Sequence, residues 1–409
     1  MSVIKPFRAL KPRPEVAEKI ACVPYDVPYD SEVREYIADN PHSFLRVTRP
    51  EADFPKGSQP SDDEILARSV ENLEAFIREG WLVQDEEPSM YAYRLSVGPH
   101  VQTGIVATCS IDEYDAGLIK KHEKTRPDKV KDRTDHMIGL RAQTGLIFLA
   151  FRGTDKTREL IAAETSREPL LECPCDEGGV TQTVWKIRDV AGLAAAFAEL
   201  PALYVADGHH RAESASLARR TLRENDPDHT GDEPYNFVMA GIFPAEDLKI
   251  LPYNRVVRDL NGLAENEFLD RISAAFDVKR SDVKVPREPH SVAMYLNGNW
   301  YTLAYRVEKL DEADPIERLD VSILQHNILT PILGIDDPRT NDRIAFVGGI
   351  RGTDELERLV DSGEYRVAFS MFPTSMDDLF AVSDMGEIMP PKSTWFEPKL
   401  KDGLFVHLI

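Results

Sequence analysis

Leu203-Tyr204-Val205-Ala206-Asp207-Gly208-His209-His210-Arg211 is the stretch on which the fold of this chain turns. Leu203, Tyr204 and Val205 end an apolar run suited to a buried strand. From Ala212 onward, Ala215, Ala218 and Leu222 recur at helical spacing, while Glu213, Arg219, Arg220 and Glu224 fall on other faces. The junction therefore sets two imidazoles and a guanidinium in the first turn of a helix. Unpaired backbone N–H groups and the positive end of the macrodipole favour an anion there, phosphate first among them. Gly208 lets such a group approach the backbone, and open α/β sheets bind ligands at strand ends of this kind. The same residues also suit a structural role, with Asp207 as an N-cap and the histidines as surface or satisfied core groups.

The 409 residues exceed the size at which one core usually stops growing, which predicts two domains, 1–258 and 259–409. With 42% hydrophobic and 29% charged residues the composition is that of a soluble protein. No apolar run reaches the roughly 20 residues needed to span a bilayer, so no membrane partner is expected. Met1 to Arg8 holds neither an h-region nor a cleavage signal, which predicts a cytoplasmic location. Four cysteines suit a reducing compartment. Cys173-Pro174-Cys175 is too closely spaced for a common zinc site and has no answering pair, so it is taken as a loop feature and no metal ligand set is assigned. A net charge of −21, from 70 acidic and 49 basic residues, repels nucleic acid and anionic membranes. Homo-oligomerisation is left open.

Working outward, a proline-punctuated segment from Lys5 to Pro12 precedes a short helix near 14–20 and an ordered turn at Pro24-Tyr25-Asp26-Val27. A polar loop over 51–63 leads to an amphipathic helix over 63–80 through Ile65, Leu66, Val70, Leu73 and Phe76. Strands are predicted near 90–97, 103–111, 146–152, 236–243 and 249–258. Residues 120–133 hold seven basic and three acidic side chains, locally +4 in an acidic chain. That run is either a solvated helix face or a second wall of the anion site, with Glu123 beside His122, Lys124 and Arg133. In the second half, Val292 to Tyr305 carries Asn297-Gly298, which suits a type I′ hairpin turn. A helix over 319–329, strands near 344–347 and 365–371, and a helix over 375–384 follow. Strands and helices mix without regular βαβ alternation, so the class is α+β.

Several chemistries are missing. There is no phosphate loop of the Gly-x-x-x-x-Gly-Lys-Ser/Thr type, no Gly-x-Gly-x-x-Gly fingerprint, no His-Glu-x-x-His and no Gly-x-Ser-x-Gly. Gly348-Gly349-Ile350-Arg351-Gly352 matches none of these spacings and suits a surface turn. Near the C-terminus, Met389-Pro390-Pro391-Lys392-Ser393-Thr394-Trp395-Phe396-Glu397-Pro398-Lys399 joins a rigid turn to a lysine and two hydroxyls. That mixture can hold a phosphate, or simply precede a last strand packed through Trp395 and Phe396.

Over nearly its whole length the chain resembles the domain of unknown function 1015 family. The likeness rests on Pro6 to Leu10 with Pro24 to Val27, on His122-Glu123-Lys124-Thr125 followed by Arg133, on Asp207 to Arg211, and on Met389 to Thr394. The Asp207–Arg211 segment is also similar to that of free-serine kinases of the ParB/sulfiredoxin-like superfamily. This second resemblance implies a ParB/sulfiredoxin-like mixed-sheet core with insertions, here followed by a second α+β domain that completes the site. It implies that His209, His210 and Arg211 contact phosphates and that Asp207 is an acid/base or magnesium-side group.

Two functions follow. One is a small-molecule phosphotransferase, a kinase acting on free serine or a similar hydroxyl metabolite. Lys124, Arg133, Arg211 and Lys392, with Ser393 and Thr394, then position phosphoryl oxygens, and Glu123, His122 or Asp207 handles the acceptor proton. Mg2+ is expected if ATP, ADP or pyrophosphate is the donor. The other is a non-catalytic sensor of a nucleotide or phosphorylated metabolite, using the same ligands without a carboxylate aimed at an acceptor.

Overall fold

The apolar run before Asp207 forms the strand Leu203–Asp207, whose first four side chains are buried. The structure, a computed structural model, describes residues 2–174, 179–310 and 313–409. Cys175 of the Cys173-Pro174-Cys175 pair lies outside the described residues. Contacts divide the chain into two units, 1–121 with 125–248 and 398–409, and 122–124 with 249–397.

In the first unit the Leu203–Asp207 strand is one of nine in a mixed sheet. Across it run Ile119–Lys120, Leu203–Asp207, Ile147–Phe151, Phe237–Pro244, His100–Ser110, Tyr91–Val97, Thr181–Lys186 and Leu171–Pro174. Ile4–Lys5 also pairs with His100–Ser110. Leu203–Asp207 is parallel to Ile119–Lys120 but antiparallel to Ile147–Phe151, and Phe237–Pro244 is parallel to the latter. The chain is therefore α+β, with a large mixed sheet, as the absence of βαβ alternation predicts. Against Ile147–Phe151 the register slips between Val205 and Asp207. Such a bulge bends the strand and re-aims the side chains beyond it.

The helix His209–Glu224 follows at once. Ala212, Ala215 and Ala218, each about 1% exposed, join Leu203, Val205, Ile147 and Ile242 in one core cluster. Small side chains on that face let the helix lie close to the sheet. Each fully buried aliphatic in this layer is worth about 1.5–3 kcal/mol before conformational entropy is counted. The helix predicted over 63–80 spans Asp62–Arg78 and starts at a capping box, with Ser61 and Glu64 bonding each other's backbone N–H. Its Leu73 and Phe76 pack with Phe44, Leu10 and Val406 in a second cluster. The basic run does not form one continuous helix face. Lys120 ends a strand, and the helix Pro127–Leu140 begins only where Pro127 supplies an N1 residue needing no N–H partner.

The second unit is built on a six-stranded antiparallel sheet in the order Phe276–Arg280, Asn299–Tyr305, Ser291–Leu296, Val367–Met371, Tyr253–Val257 and Ile344–Gly348. The hairpin turn has positive φ at both Asn297 (49°) and Gly298 (75°), the type I′ geometry that Asn-Gly favours. The strand predicted over 249–258 is broken at Pro252, which has no N–H to give. Lys249–Leu251 pairs with Trp395–Glu397, and Tyr253–Val257 joins the large sheet. The helix predicted over 319–329 is α only over Asp320–Leu324 and widens to a π turn over Gln325–Leu329. The Gln325 side chain there donates to Thr330 Oγ1 and to the Ile335 carbonyl. No helix among the described residues is long and apolar enough to cross a membrane.

Candidate functional site

At the strand-to-helix turn the N-cap is Gly208, not Asp207. Gly208 takes φ 89° and ψ 28°, a left-handed conformation that L side chains rarely adopt, and no side chain caps the helix. Asp207 Oδ1 instead accepts the Gly208 N–H (2.7 Å), and its Oδ2 pairs with Lys399 Nζ at 2.6 Å. Burial opposes ionisation, yet Lys399 and Arg211 hold the Asp207 carboxyl well below the usual carboxylate range. His209 is buried, and His210 Nε2 accepts the backbone N–H of Arg126 (3.1 Å).

Arg211 turns inward. Its Nη1 donates to the Leu146 carbonyl (2.5 Å) and lies 3.9 Å from Asp402 Oδ1, while its Nε has no hydrogen-bond partner among the described residues. Asp402 Oδ1 likewise has none, and Oδ2 accepts the Tyr25 N–H at 3.2 Å. The two side chains line a cavity of about 30 Å³ with Tyr25, Arg133, His136 and Gln143. That is room for about two waters. Arg133 lies over the Tyr25 ring at 4.4 Å and Arg211 at 6.0 Å. A Cβ on Gly145 would fall 2.5 Å from Asp402 Oδ1 and 3.0 Å from Arg211 Nη1, so glycine is required there to clear the pair.

The charges are arranged unequally. Burial raises the Asp402 carboxyl to about 7, with Asp26 adding to the rise and Arg211 opposing it. For Arg211, burial opposes the charge but Asp26, Asp402 and Asp207 outweigh it, so the guanidinium stays charged. Exposed Asp26 thus sits close enough to act on both. A carboxyl titrating near neutrality beside a fixed cation is suited to taking and returning a proton, and perturbed groups of this kind collect at functional sites.

The remaining expected site residues belong to the second unit. His122 is buried, its Nε2 lies 3.3 Å from Thr394 Oγ1, and its carbonyl accepts the Met389 N–H at 2.8 Å. The His122 segment and the Met389–Thr394 turn are therefore neighbours. Glu123 is half-buried and Lys124 exposed. Lys392 has φ 56°, and its Nζ lies 5.4 Å from the Tyr253 ring centre. The turn is held by Arg255, which donates to the Lys392 carbonyl (3.1 Å), and by Ser393 Oγ, which donates to the Pro390 carbonyl (2.6 Å).

A family model described as "Protein of unknown function (DUF1015)" matches residues 4–322. The chain belongs to the DUF1015 family. A search of the curated proteins gave no match. Among solved structures, this DUF1015 chain is similar to a free serine kinase in complex with AMP (12% identity, 71% of this chain and 86% of that one, TM-score 0.35). It is also similar to a conserved hypothetical protein from Pyrococcus furiosus (15%, 74% and 95%, TM-score 0.36). A third is SbnI with a C-terminal truncation from Staphylococcus aureus (13%, 74% and 87%, TM-score 0.41). These likenesses are distant.

Three residues gathered at this turn fall outside the candidate set read from the sequence: Asp402, Lys399 and Asp26. Asp26 lies in the Pro24–Val27 turn that carries the family resemblance, which was a usable signal. Lys401-Asp402-Gly403 resembles an ordinary turn, and nothing local separates Asp402 from other surface carboxylates.

Proposed function

We propose that the chain holds a phosphorylated small molecule at the His209–Arg211 turn and acts as a small-molecule phosphotransferase, a kinase whose acceptor is a hydroxyl metabolite such as free serine. One observation carries this: Arg211, largely turned inward, and buried Asp402 form a loose ion pair at 3.9 Å, with Nε and Oδ1 lacking a hydrogen-bond partner among the described residues, at a helix N-terminus without a side-chain cap hydrogen bond. Arg211, flanked by His209, His210 and Arg133, orients the phosphoryl oxygens. The acceptor oxygen forms the new P–O bond, the anhydride P–O bond of an ATP, ADP or pyrophosphate donor breaks, and Asp402 takes the hydroxyl proton. Glu123 with His122, and Lys124, Lys392, Ser393 and Thr394, are proposed as ligand contacts of the second unit in its own right. A ParB/sulfiredoxin-like core belongs to the same proposal, supported by the mixed sheet with its ligand turn at the end of an internal strand.

Magnesium does not fit the carboxylates of this turn as they stand. Both Asp207 oxygens are engaged, one by Lys399, and Asp402 faces the Arg211 cation. Each step above therefore runs on the chain's own residues.

Binding without transfer is the second reading, favoured by the Asp207–Lys399 ion pair, which withdraws Asp207 from proton chemistry. Calorimetry with ADP and with pyrophosphate, and phosphorus NMR of turnover against a panel of hydroxyl amino acids, separate the two. Arg211→Ala should weaken ADP by about 1.5–3 kcal/mol, roughly 10- to 150-fold. Asp402→Asn should bind ADP and lose transfer. Wild-type binding without product leaves the sensor, and unchanged ADP affinity in Arg211→Ala removes the turn from the site.

A further inference from the structure

In the first unit, the loop between the helix His209–Glu224 and the strand Phe237–Pro244 brings together one imidazole and two carboxylates. One ligand atom each of Asp226, His229 and Glu233 lies within 4.8 Å of the others, and all three residues are half-buried. Tyr235 joins them: its hydroxyl donates to Asp226 Oδ2 at 2.7 Å and lies 2.9 Å from His229 Nδ1. That nitrogen is in turn 2.9 Å from Glu233 Oε2. The Tyr235 ring stacks on the imidazole, with centroids 5.8 Å apart and planes 18° apart, so Nδ1 is held facing the carboxylates.

These contacts are one proton short. The links Asp226–Tyr235, Tyr235–His229 and His229–Glu233 are each of hydrogen-bond length. The phenol supplies one proton and Nδ1 at most one. With both carboxylates ionised, one link therefore sets lone pair against lone pair, a contact that a cation relieves. Imidazole nitrogen with two carboxylates is a donor set for zinc and its neighbours, whereas calcium and magnesium take oxygen. Thr230, Gly231 and Asn236 donate to the Glu233 carboxylate and the Asp228 N–H to Asp226, fixing both as outer partners do around metal-bound carboxylates. We propose that Asp226, His229 and Glu233 bind a divalent transition-metal ion of the zinc class, which takes the place of the missing proton. At about 1.5 Å per residue, the helix His209–Glu224 sets this loop about 20 Å from Arg211. The ion is therefore structural, tying the end of that helix to the strand Phe237–Pro244, and it does not depend on the phosphate chemistry proposed at the Arg211 turn.

Calorimetry on the full chain, stripped with a chelator and titrated with Zn2+ alone, tests this. Zn2+ should bind saturably, and His229→Ala and Asp226→Asn should each weaken it by about tenfold or more, the loss that even an outer partner carries. Asp226→Asn keeps an acceptor for Tyr235, and circular dichroism confirms that each variant is folded. Zn2+ should also raise the unfolding temperature of the wild-type chain and leave that of His229→Ala unmoved, since an ion held only by the folded loop stabilises it. Mg2+ and Ca2+ should bind about tenfold or more weaker than Zn2+. Absence of saturable Zn2+ binding overturns the proposal. So does a zinc affinity unchanged in either variant, or equal binding of Mg2+ or Ca2+.

Discussion

Asp402→Asn tests the group on which the proposed proton transfer depends. The side chain is 1% exposed, and burial raises its pKa from the ordinary 3.8 to about 7, with Arg211 opposing and Asp26 assisting. Above pH 4 the unfolded chain has released a proton that the folded chain keeps until pH 7. Folding stability therefore falls as pH rises through that window and levels off above it. The rise corresponds to about 4 kcal/mol in full, of which about 3 kcal/mol accrues between pH 5 and pH 8. Asparagine does not titrate, so the variant lacks this slope. His136 and His407, both lowered to about 4 by burial, add an opposite slope that the two proteins share and that cancels in their difference. Urea unfolding of the full chain at pH 5, 6, 7 and 8, followed by tryptophan fluorescence with Trp81 and Trp185 reporting on the first unit, supplies the comparison. The stability difference should move by about 3 kcal/mol in favour of asparagine from pH 5 to pH 8. Parallel curves would refute the reasoning: burial would then not raise the Asp402 carboxyl into the neutral range.

Gly208→Ala should cost about 1–2 kcal/mol in thermal or urea unfolding, because φ 89° is unfavourable for alanine and its Cβ would meet Ile147 Cα at 3.3 Å. A neutral result would mean that the turn relaxes. Lys399→Met should cost about 1.5–3 kcal/mol at pH 7 by stripping Asp207 of its ion-pair partner. Since Lys399 and Arg211 depress the Asp207 pKa against burial, that stabilisation is full above about pH 4 and fades only below it. The loss should thus be equal at pH 6 and pH 8, and a difference between them would count against the pairing. Ser61→Ala should cost about 1 kcal/mol by opening the capping box, read from the urea midpoint.

Local pattern made some parts of this chain legible and long-range pairing hid others. The helix Asp62–Arg78 announces itself through Leu73 and Phe76 on one face and Ser61 with Glu64 at its start, all within one stretch. The Asn297-Gly298 hairpin does so because its turn chemistry is contained in two residues. The strand-to-helix switch at Asp207–Arg211 is legible for the same reason. Its bulge is not, since the slip between Val205 and Asp207 exists only relative to the partner strand Ile147–Phe151. Asp402 was hidden more deeply. It bonds Tyr25 across 377 residues of chain, and no periodicity or spacing encodes such a contact.

The return of the C-terminal segment explains how an uncomfortable carboxylate is kept in place. Asp402 exchanges both backbone hydrogen bonds with Cys22, at 3.0 Å each, so its main chain is fixed whatever its side chain does. Gly403 beside it has φ 85°, and a Cβ there would meet Phe44 Cβ at 2.7 Å, so the segment is packed tightly on the second core cluster. Leu404, Phe405 and Val406 are buried immediately after it. Hydrophobic burial of these three side chains, about 1.5–3 kcal/mol each, is large enough to offset a penalty of about 4 kcal/mol at Asp402. Its Oδ1 can therefore stay without a hydrogen-bond partner among the described residues, next to Arg211, without the segment lifting away. A group held in that way is available to a ligand at no further cost in ordering, which the proposed role of Asp402 as proton acceptor requires.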